Sequence, residues 1–311
     1  MKKFDAVIIG ELNIDLVLWG VPLPEYEKEK LAQDMRFTMG SSSAITAYNL
    51  AALGTRVAFI GKAGADTFGD FMVRELSKGG VDTSAVIRDK TLKTGATIVL
   101  ANPPKKALLT YLGAMAYLTI EDIDWDVVRE ARHLHVGGFF LQTGLRKDVG
   151  RIFARAREMG LTTSLDTNWD PDEQWGDDLR EALRFTDIFL PNEEEAVQIA
   201  QTSTVEEALE RLGEIVPVVV IKQGKKGASL RAGDTRLFSP GFEVEVVETT
   251  GAGDSFNAGF LHQYLKGKSW EECLRFGNLC GALAVTAMGG TGAFADKDQI
   301  KLRMEAILGR A

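Results

Sequence analysis

ETTGAGDSFNAGFL, residues 248–261, sets four small or flexible residues, Thr250-Gly251-Ala252-Gly253, directly before an acid, Asp254, and an apolar run directly after it. The segment leading in, EVEVVETT (243–250), alternates polar and apolar residues as a strand does. The segment leading out repeats Phe256, Phe260, Leu261, Tyr264 and Leu265 at the spacing of one helix face. Gly251-Ala252-Gly253 therefore reads as a strand-to-helix turn. Small residues let a backbone approach a ligand closely. The first amides of a helix lack intrahelical partners and lie at the positive end of its dipole, so they form an anion site. Asp254 falls in the first turn, beside that anion.

Two readings of Asp254 stay open on spacing alone. An Asp at a helix start is ordinarily an N-cap, but a cap requires no Gly-Ala-Gly before it. The combination instead supplies a donor cradle for phosphate and a carboxylate able to accept a hydroxyl proton, the parts phosphoryl transfer uses. The helix dipole predicts an ionised Asp254 at neutral pH. Other phosphate motifs are absent. GKS occurs at 267–269, but His262 stands where a P-loop needs its upstream glycine. The G-x-G-x-x-G pattern ends on Phe256.

Continuous apolar runs at 6–9, 56–61, 133–138, 162–166, 187–192 and 217–224 read as strands buried on both faces. Between them, SAITAYNLAALG (43–54), FGDFMVRELSKGG (68–80) and RKDVGRIFARAREMG (146–160) are helical and stop at glycines. This alternation predicts an α/β fold with a mostly parallel sheet between two helical layers. Residues 15–38 and 91–112 break the pattern, the second as two strands about Asn102-Pro103-Pro104-Lys105. They read as a small antiparallel β lid inserted into a single domain spanning 1–311. After residue 250 the pattern is helical over 252–266, 270–288 and 297–308.

The 311 residues, 45% hydrophobic and 26% charged, suffice for a large core. A net charge of −8 argues against a nucleic-acid surface, which needs clustered cations. Cys273 and Cys280, seven apart, read as reduced packing residues on one helix. The N-terminal apolar run is too short for a signal peptide or a membrane span, which predicts a soluble cytoplasmic protein without a membrane partner.

Over nearly its whole length the chain resembles the PfkB, or ribokinase-like, carbohydrate kinases. ETTGAGDSFNAGF resembles the C-terminal signature; GSSSAITAYNLAALG (40–54) the N-terminal one, usually G-G-x-x-x-N; GKAGADTFGDFM (61–72) the segment after it; and PNEEEA (191–196) the N-x-x-E motif. The resemblance implies a three-layer α/β/α ribokinase-like fold and transfer of the γ-phosphoryl group of ATP, with Mg²⁺, to a hydroxyl of a small sugar or sugar derivative. It makes Asp254 the general base and Gly251, Ala252 and Gly253 the anion hole. Asn192 and Glu195 would serve Mg²⁺ through water. Asp166, Asn168, Thr250, Lys222, Gly224 and Asn278 fall on the nucleotide side. Asn13, Asp15, Gly40, Ser41, Ser42 and Gln142 fall on the sugar side, with Phe37, Thr97, Leu109 and Tyr111 of the lid as candidates to close over it. Relatives often pair through the lid, so a homodimer is expected.

Two departures bear on substrate choice. Ile45 stands where the signature has a substrate-reaching Asn, and Ser41 where it has a second Gly. Glu248 replaces an Asp associated with a monovalent cation, leaving K⁺ activation open, with carbonyls of TAMGGTG (286–292) as companions. A nucleoside kinase or a non-catalytic sugar or nucleotide sensor on the same scaffold are the alternatives. His133 and His135 share a strand face and read as packing or edge residues rather than metal ligands.

Overall fold

Ala6, Val7, Ile8 and Ile9 are completely buried, because each face of their strand meets a different core. Ala6 and Ile8 join Phe59, Leu50, Phe256 and Phe260; Val7 and Ile9 join Phe153, Leu179, Leu209 and Val219. A period-2 strand that is apolar at every position is thereby explained. The computed structural model describes residues 2–102 and 105–309. Pro103 and Pro104, at the centre of the expected hairpin, lie outside the described residues.

The strands are β1 (Ala6–Ile9), β2 (Asn13–Trp19), β3 (Asp34–Met39), β4 (Val57–Gly64), β5 (Val86–Asp89), β6 (Gly95–Asn102), β7 (Lys105–Tyr111), β8 (His133–Val136), β9 (Thr162–Leu165), β10 (Ile188–Phe189), β11 (Val218–Lys222), β12 (Gly227–Ala232) and β13 (Thr235–Pro240). The helices are α1 (Ser42–Ala52), α2 (Thr67–Gly79), α3 (Trp125–Arg129), α4 (Val149–Glu158), α5 (Asp177–Leu183), α6 (Glu193–Ala200), α7 (Val205–Leu212), α8 (Ala252–Leu265), α9 (Trp270–Ala284) and α10 (Lys297–Leu308). The main sheet runs β13-β12-β11-β10-β9-β8-β1-β4-β5. It is parallel except where β12 pairs antiparallel with β11 and β13. Gly54 and Gly80 stop α1 and α2 at φ of +96° and +94°, the left-handed region that glycine enters without strain.

The lid is a four-stranded sheet, β3-β2-β6-β7. Both outer pairs are antiparallel, while the central β2–β6 pair is parallel. Register divides its faces. Thr38, Asp15, Thr97 and Thr110 are directly across from one another on one face; Phe37, Leu16, Ile98 and Leu109 follow on the other, which Tyr111 shares. Phe37 packs on Phe71 of α2 at 4.6 Å between ring centroids. Thus only Thr97, of the four residues considered for closing the site, shares the face of Asp15.

Residues 243–250 do not form the expected strand. The amides of Val247 and Glu248 both reach the Val285 carbonyl, at 2.8 and 3.3 Å, so the segment follows the end of α9 with no strand beside it. Alternation records exposure, not a pairing partner, and Val246 and Val247 remain exposed. His133 and His135 lie on a strand in the middle of the sheet, fully buried, and share the Ser164 hydroxyl at 2.7 Å each. Cys273 and Cys280 are buried free thiols on α9. Among the described residues no helix is long and apolar enough to cross a membrane.

Ser41 caps α1, accepting the Ala44 amide at 2.9 Å and donating to the Glu11 carbonyl at 2.6 Å, at a φ of +69°. That backbone explains the glycine of the resembled signature; here a serine accepts the strain to gain the cap. Ser41→Ala keeps the strain and loses the cap, which costs about 1 kcal/mol, whereas Ser41→Gly releases the strain and loses only a few tenths through the cap. Urea unfolding should rank Ser41→Ala below Ser41→Gly; the reverse order would contradict the assigned cap.

Candidate functional site

The polar residues of interest sit just past the carboxyl ends of adjacent parallel strands, where α/β sheets place their ligand sites. Glu11 follows β1, Asp166 follows β9, Asn192 follows β10, and Lys222 ends β11. The start of α8 faces them. Gly251 is its N-cap residue, at a φ of +75°, and no side chain caps the first turn. A Cβ on Gly251 would meet Gly290 Cα at 2.5 Å and Ile45 Cγ2 at 3.2 Å, so glycine is required there. Gly253 has space on its Cβ side; the nearest atom is Lys222 Nζ, at 3.6 Å from an added Cβ. Uncapped amides and an ammonium thus converge as a phosphate would need.

Asp254 is the third residue of α8 and not its cap. No hydrogen bond from another described residue reaches its carboxylate, although its carbonyl accepts from Thr46 Oγ1 at 3.3 Å. It keeps an opening to solvent while protein surrounds it on its other sides. Burial, followed by the charge of Asp166, raises its pKa well above the ordinary range; Lys222 opposes, and Glu11 and Glu195 add to the rise. In the unliganded protein, burial and the crowded carboxylates thus act against the helix end, which favours the ionised form.

Lys222 Nζ lies 2.7 Å from Asp166 Oδ2 and 3.2 Å from Asn257 Oδ1, and the Asn257 amide donates to the same Asp166 oxygen. Burial pulls the Lys222 pKa down, but Asp166, Glu195 and Asp254 together hold it above its usual value. Asn192 and Glu195 form a reciprocal capping box on α6, each bond 2.9 Å. Glu195 is nonetheless buried, and burial, with Asp166 next, raises its pKa to about 7. Asn168, at a φ of +57°, donates its backbone N–H to Asp166 Oδ1 at 3.2 Å. Gly224 is left-handed with open space at its Cβ, and Thr250 is half-buried in the turn. Asn278 is buried and donates to the carbonyls of Ser239 and Pro240 at 2.9 and 3.2 Å, so it fastens β13 to α9.

On the sugar side, Asn13 donates to Asp15 at 3.1 Å and to Thr97 at 3.2 Å. A Cβ on Gly40 would stand 2.1 Å from Asp15 Oδ1, so the chain passes directly over this pair. Burial first, then the charge of Glu248, raises the Asp15 pKa to about 7; Lys106 and Asn13 oppose, and Glu11 adds a little. Ser42 is half-buried at the start of α1. Gln142 is completely buried, its amide donating to the Gly137 carbonyl at 2.6 Å and its Oε1 unpaired. It braces the loop after β8, next to a short 3₁₀ turn at 139–141. Glu248 Oε2 accepts the Gly289 amide at 2.8 Å, which joins it to the 286–292 turn.

Three residues of this network were not singled out from sequence. Glu11 is fully buried, accepts the Ser43 amide at 3.2 Å and the Ser43 hydroxyl, and acts electrostatically on both Asp15 and Asp254. An acid just past a buried strand was its signal. Asn257 sits three residues after Asp254 on α8, one helical turn, and that spacing was its signal. Asn49 had none, since it stands inside an apolar helix pattern.

ATP and Mg²⁺ fit this donor set. The amides at 251–253 and Lys222 suit phosphate. Among the described residues no group of three or more His, Cys, Asp or Glu closes into a metal cage. Mg²⁺ rarely uses such a cage, keeping waters and phosphate oxygens about itself. An anion cradle, a free carboxylate beside it and a polar lid define a phosphotransferase for a small hydroxylated molecule. The profile of the pfkB family carbohydrate kinases matches residues 3–297. A sugar kinase of Archaeoglobus fulgidus is 34% identical over 241 residues, 77% of this chain and 95% of that one. An ATP-dependent ribose-1-phosphate kinase of Halopiger xanaduensis is 32% identical over 289 residues, 91% of this chain and 93% of that one. The crystal structure of a ribokinase II of E. coli in complex with ATP and Mg²⁺ superposes with a TM-score of 0.88 at 24% identity, covering 99% of this chain and 100% of that one. The chain belongs to the pfkB family of carbohydrate kinases, and its fold is ribokinase-like. It is an ATP-dependent carbohydrate kinase.

Because its folded pKa is raised, the Asp15 carboxyl holds more protons folded than unfolded between about pH 4 and pH 7. The contribution of Asp15 to wild-type stability therefore declines as pH rises through that window. Asp15→Asn removes the decline. Relative to wild type it should gain stability from pH 4 to pH 7, by roughly 4 kcal/mol at the upper bound, and stay level beyond. Urea unfolding at pH 4 and pH 8 reads this directly; a pH-independent difference would refute the burial of an ionisable Asp15.

Proposed function

We propose that this kinase moves the terminal phosphoryl group of ATP to a hydroxyl of a small sugar or sugar derivative held under the lid, with Asp254 as general base. The observation that carries the reading is the unbonded Asp254 carboxylate beside the uncapped turn and Lys222. ATP, bound with Mg²⁺, supplies the phosphoryl group. Gly251, Ala252 and Gly253 direct amides toward the charge that develops on it, and Lys222 adds an ammonium. Asp254 orients the incoming hydroxyl and takes its proton; a raised proton affinity makes it a stronger acceptor once ionised. Thr250, Asp166, Asn168, Asn192 and Gly224 shape the nucleotide side, with Asn278 acting from behind through β13. Glu195 and Asn192 serve Mg²⁺ through water. Asn13, Asp15, Gly40, Ser41, Ser42 and Gln142 receive the sugar.

For a monovalent cation, Glu248 has Oε1 to offer beside the carbonyls of the 286–292 turn, since Oε2 is engaged by Gly289. Exposed Met35, Phe37, Ile98 and Leu109 support pairing of two copies through the lid; sedimentation velocity showing only 34 kDa particles at micromolar concentration would rule it out.

ADP release should be followed with Mg²⁺-ATP over aldoses, ketoses, sugar acids, sugar 1-phosphates and nucleosides. At least one sugar should turn over, and nucleosides should not. Asp254→Asn should lower turnover by roughly 10²- to 10⁴-fold while nucleotide still binds. Wild-type turnover should rise with pH above the ordinary carboxylate range, because Asp254 must lose its proton to act. Full turnover in Asp254→Asn would remove it from the chemistry.

A further inference from the structure

Asn49 is completely buried on α1, among Leu50, Ala51 and other apolar neighbours. Its amide nitrogen donates to Ser255 Oγ at 2.9 Å and to the Gly290 carbonyl at 3.0 Å. Ser255 Oγ in turn donates to the Gly251 carbonyl at 2.7 Å. A hydroxyl has one proton. Since that of Ser255 goes to Gly251, Ser255 must accept from Asn49, and both amide protons of Asn49 are committed. Its Oδ1 has no partner. A buried unpaired oxygen is unfavourable, and an apolar side chain of similar size would avoid it. The amide is thus present for what its nitrogen holds.

It holds two turns together. One starts at Gly251, the left-handed residue that opens α8; the other contains Gly290. They touch so closely that a Cβ on Gly251 would lie 2.5 Å from Gly290 Cα. The second turn is held from its other side by Glu248, through the Gly289 amide. The Gly251 carbonyl also accepts the Ser255 backbone amide at 2.8 Å, so the Ser255 hydroxyl, oriented by Asn49, is a second tether on the Gly251 peptide plane and on the direction of the following amides.

We propose that Asn49, relayed through Ser255, is a positioning residue for terminal-phosphate recognition by the 251–253 turn; this rests on the reading of that turn as the anion hole. Without the relay the turn still forms, but its amides lose their fixed aim, and small misplacements of such donors weaken their effect strongly.

The test uses calorimetric titration of the full-length protein with two probes, Mg²⁺-AMP-PCP, which carries a third phosphate group, and Mg²⁺-ADP, which does not. Asn49→Ala should weaken AMP-PCP binding by roughly 10-fold and leave ADP within about 2-fold. Ser255→Ala breaks the same relay from its other end and should give the same selective loss, with the double variant no worse than either single one. Equal weakening of both nucleotides, as general loosening would give, or no weakening of either, would overturn the proposal. Gly251→Ala separates the two readings, because its methyl would meet Gly290 Cα at 2.5 Å and must displace the turn itself. If it weakens AMP-PCP and the Asn49 and Ser255 variants do not, only the positioning role fails. If it leaves AMP-PCP untouched, the turn is not the phosphate site and both readings fail.

Discussion

A single ammonium among carboxylates governs the site. Lys222 contacts Asp166 directly and is drawn on by Glu195 and Asp254. Direct contact lets Lys222 offset burial for one acid only: the Asp166 pKa is lowered although burial opposes it. Glu195 and Asp254, without such contact, have theirs raised. The acids of the unliganded cleft therefore oppose one another's ionisation. A triphosphate adds further negative charge, so productive binding calls for additional cations. That would give Mg²⁺ its place in the proposed reaction, and a water-mediated role would suit Glu195, whose carboxylate already closes the Asn192 box.

The lid is tied to this centre covalently and by register. β2 begins three residues after Gly10, so the strand carrying Asn13 and Asp15 continues directly from the central strand β1. Because side chains alternate across a strand, one face of the lid carries Asp15, Thr38, Thr97 and Thr110, and the other carries Phe37, Ile98 and Leu109. The apolar face meets α2 through Phe37 and Phe71. The polar face meets the C-terminal region: a Cβ on Gly289 would lie 3.1 Å from Thr38 Oγ1. The sugar and phosphate halves are thereby linked through Thr38, the 286–292 turn and Glu248.

The sequence was most legible where a local rule has a single outcome. Apolar runs gave the buried strands, glycines gave the ends of α1 and α2, and Gly-Ala-Gly before Asp254 gave the uncapped helix start. It was least legible where the outcome depends on a distant partner. Residues 243–250 alternate like a strand, yet no neighbouring strand is available. Phe37, Leu109 and Tyr111 could not be assigned a face until pairing with β2 and β6 set their register. The charge of Asp254 depends on Asp166, Glu11 and Glu195, which come from three other parts of the chain. Asn49 inside an apolar helix gives no local sign of the two turns it joins.

The substitutions at the start of α1 bear on which sugar this kinase accepts. Ile45 does not point an apolar end into an otherwise unchanged pocket; it packs on the turns, with its Cδ1 2.5 Å and its Cγ2 3.1 Å from where a Cβ on Gly290 would sit. The position that the resembled signature gives to a sugar-reaching Asn has become part of the wall behind Gly251 and Gly290. In the proposed site, polar recognition would then fall to the lid side, to Asn13, Asp15 and Thr97, and to the hydroxyl of Ser42. A site built to hydrogen-bond a substrate group rejects analogues that lack it by large factors, whereas an apolar wall rejects an added hydroxyl only weakly. The substrate for which these groups are matched should therefore present its hydroxyls toward β2 and β6, and need no donor or acceptor toward residue 45.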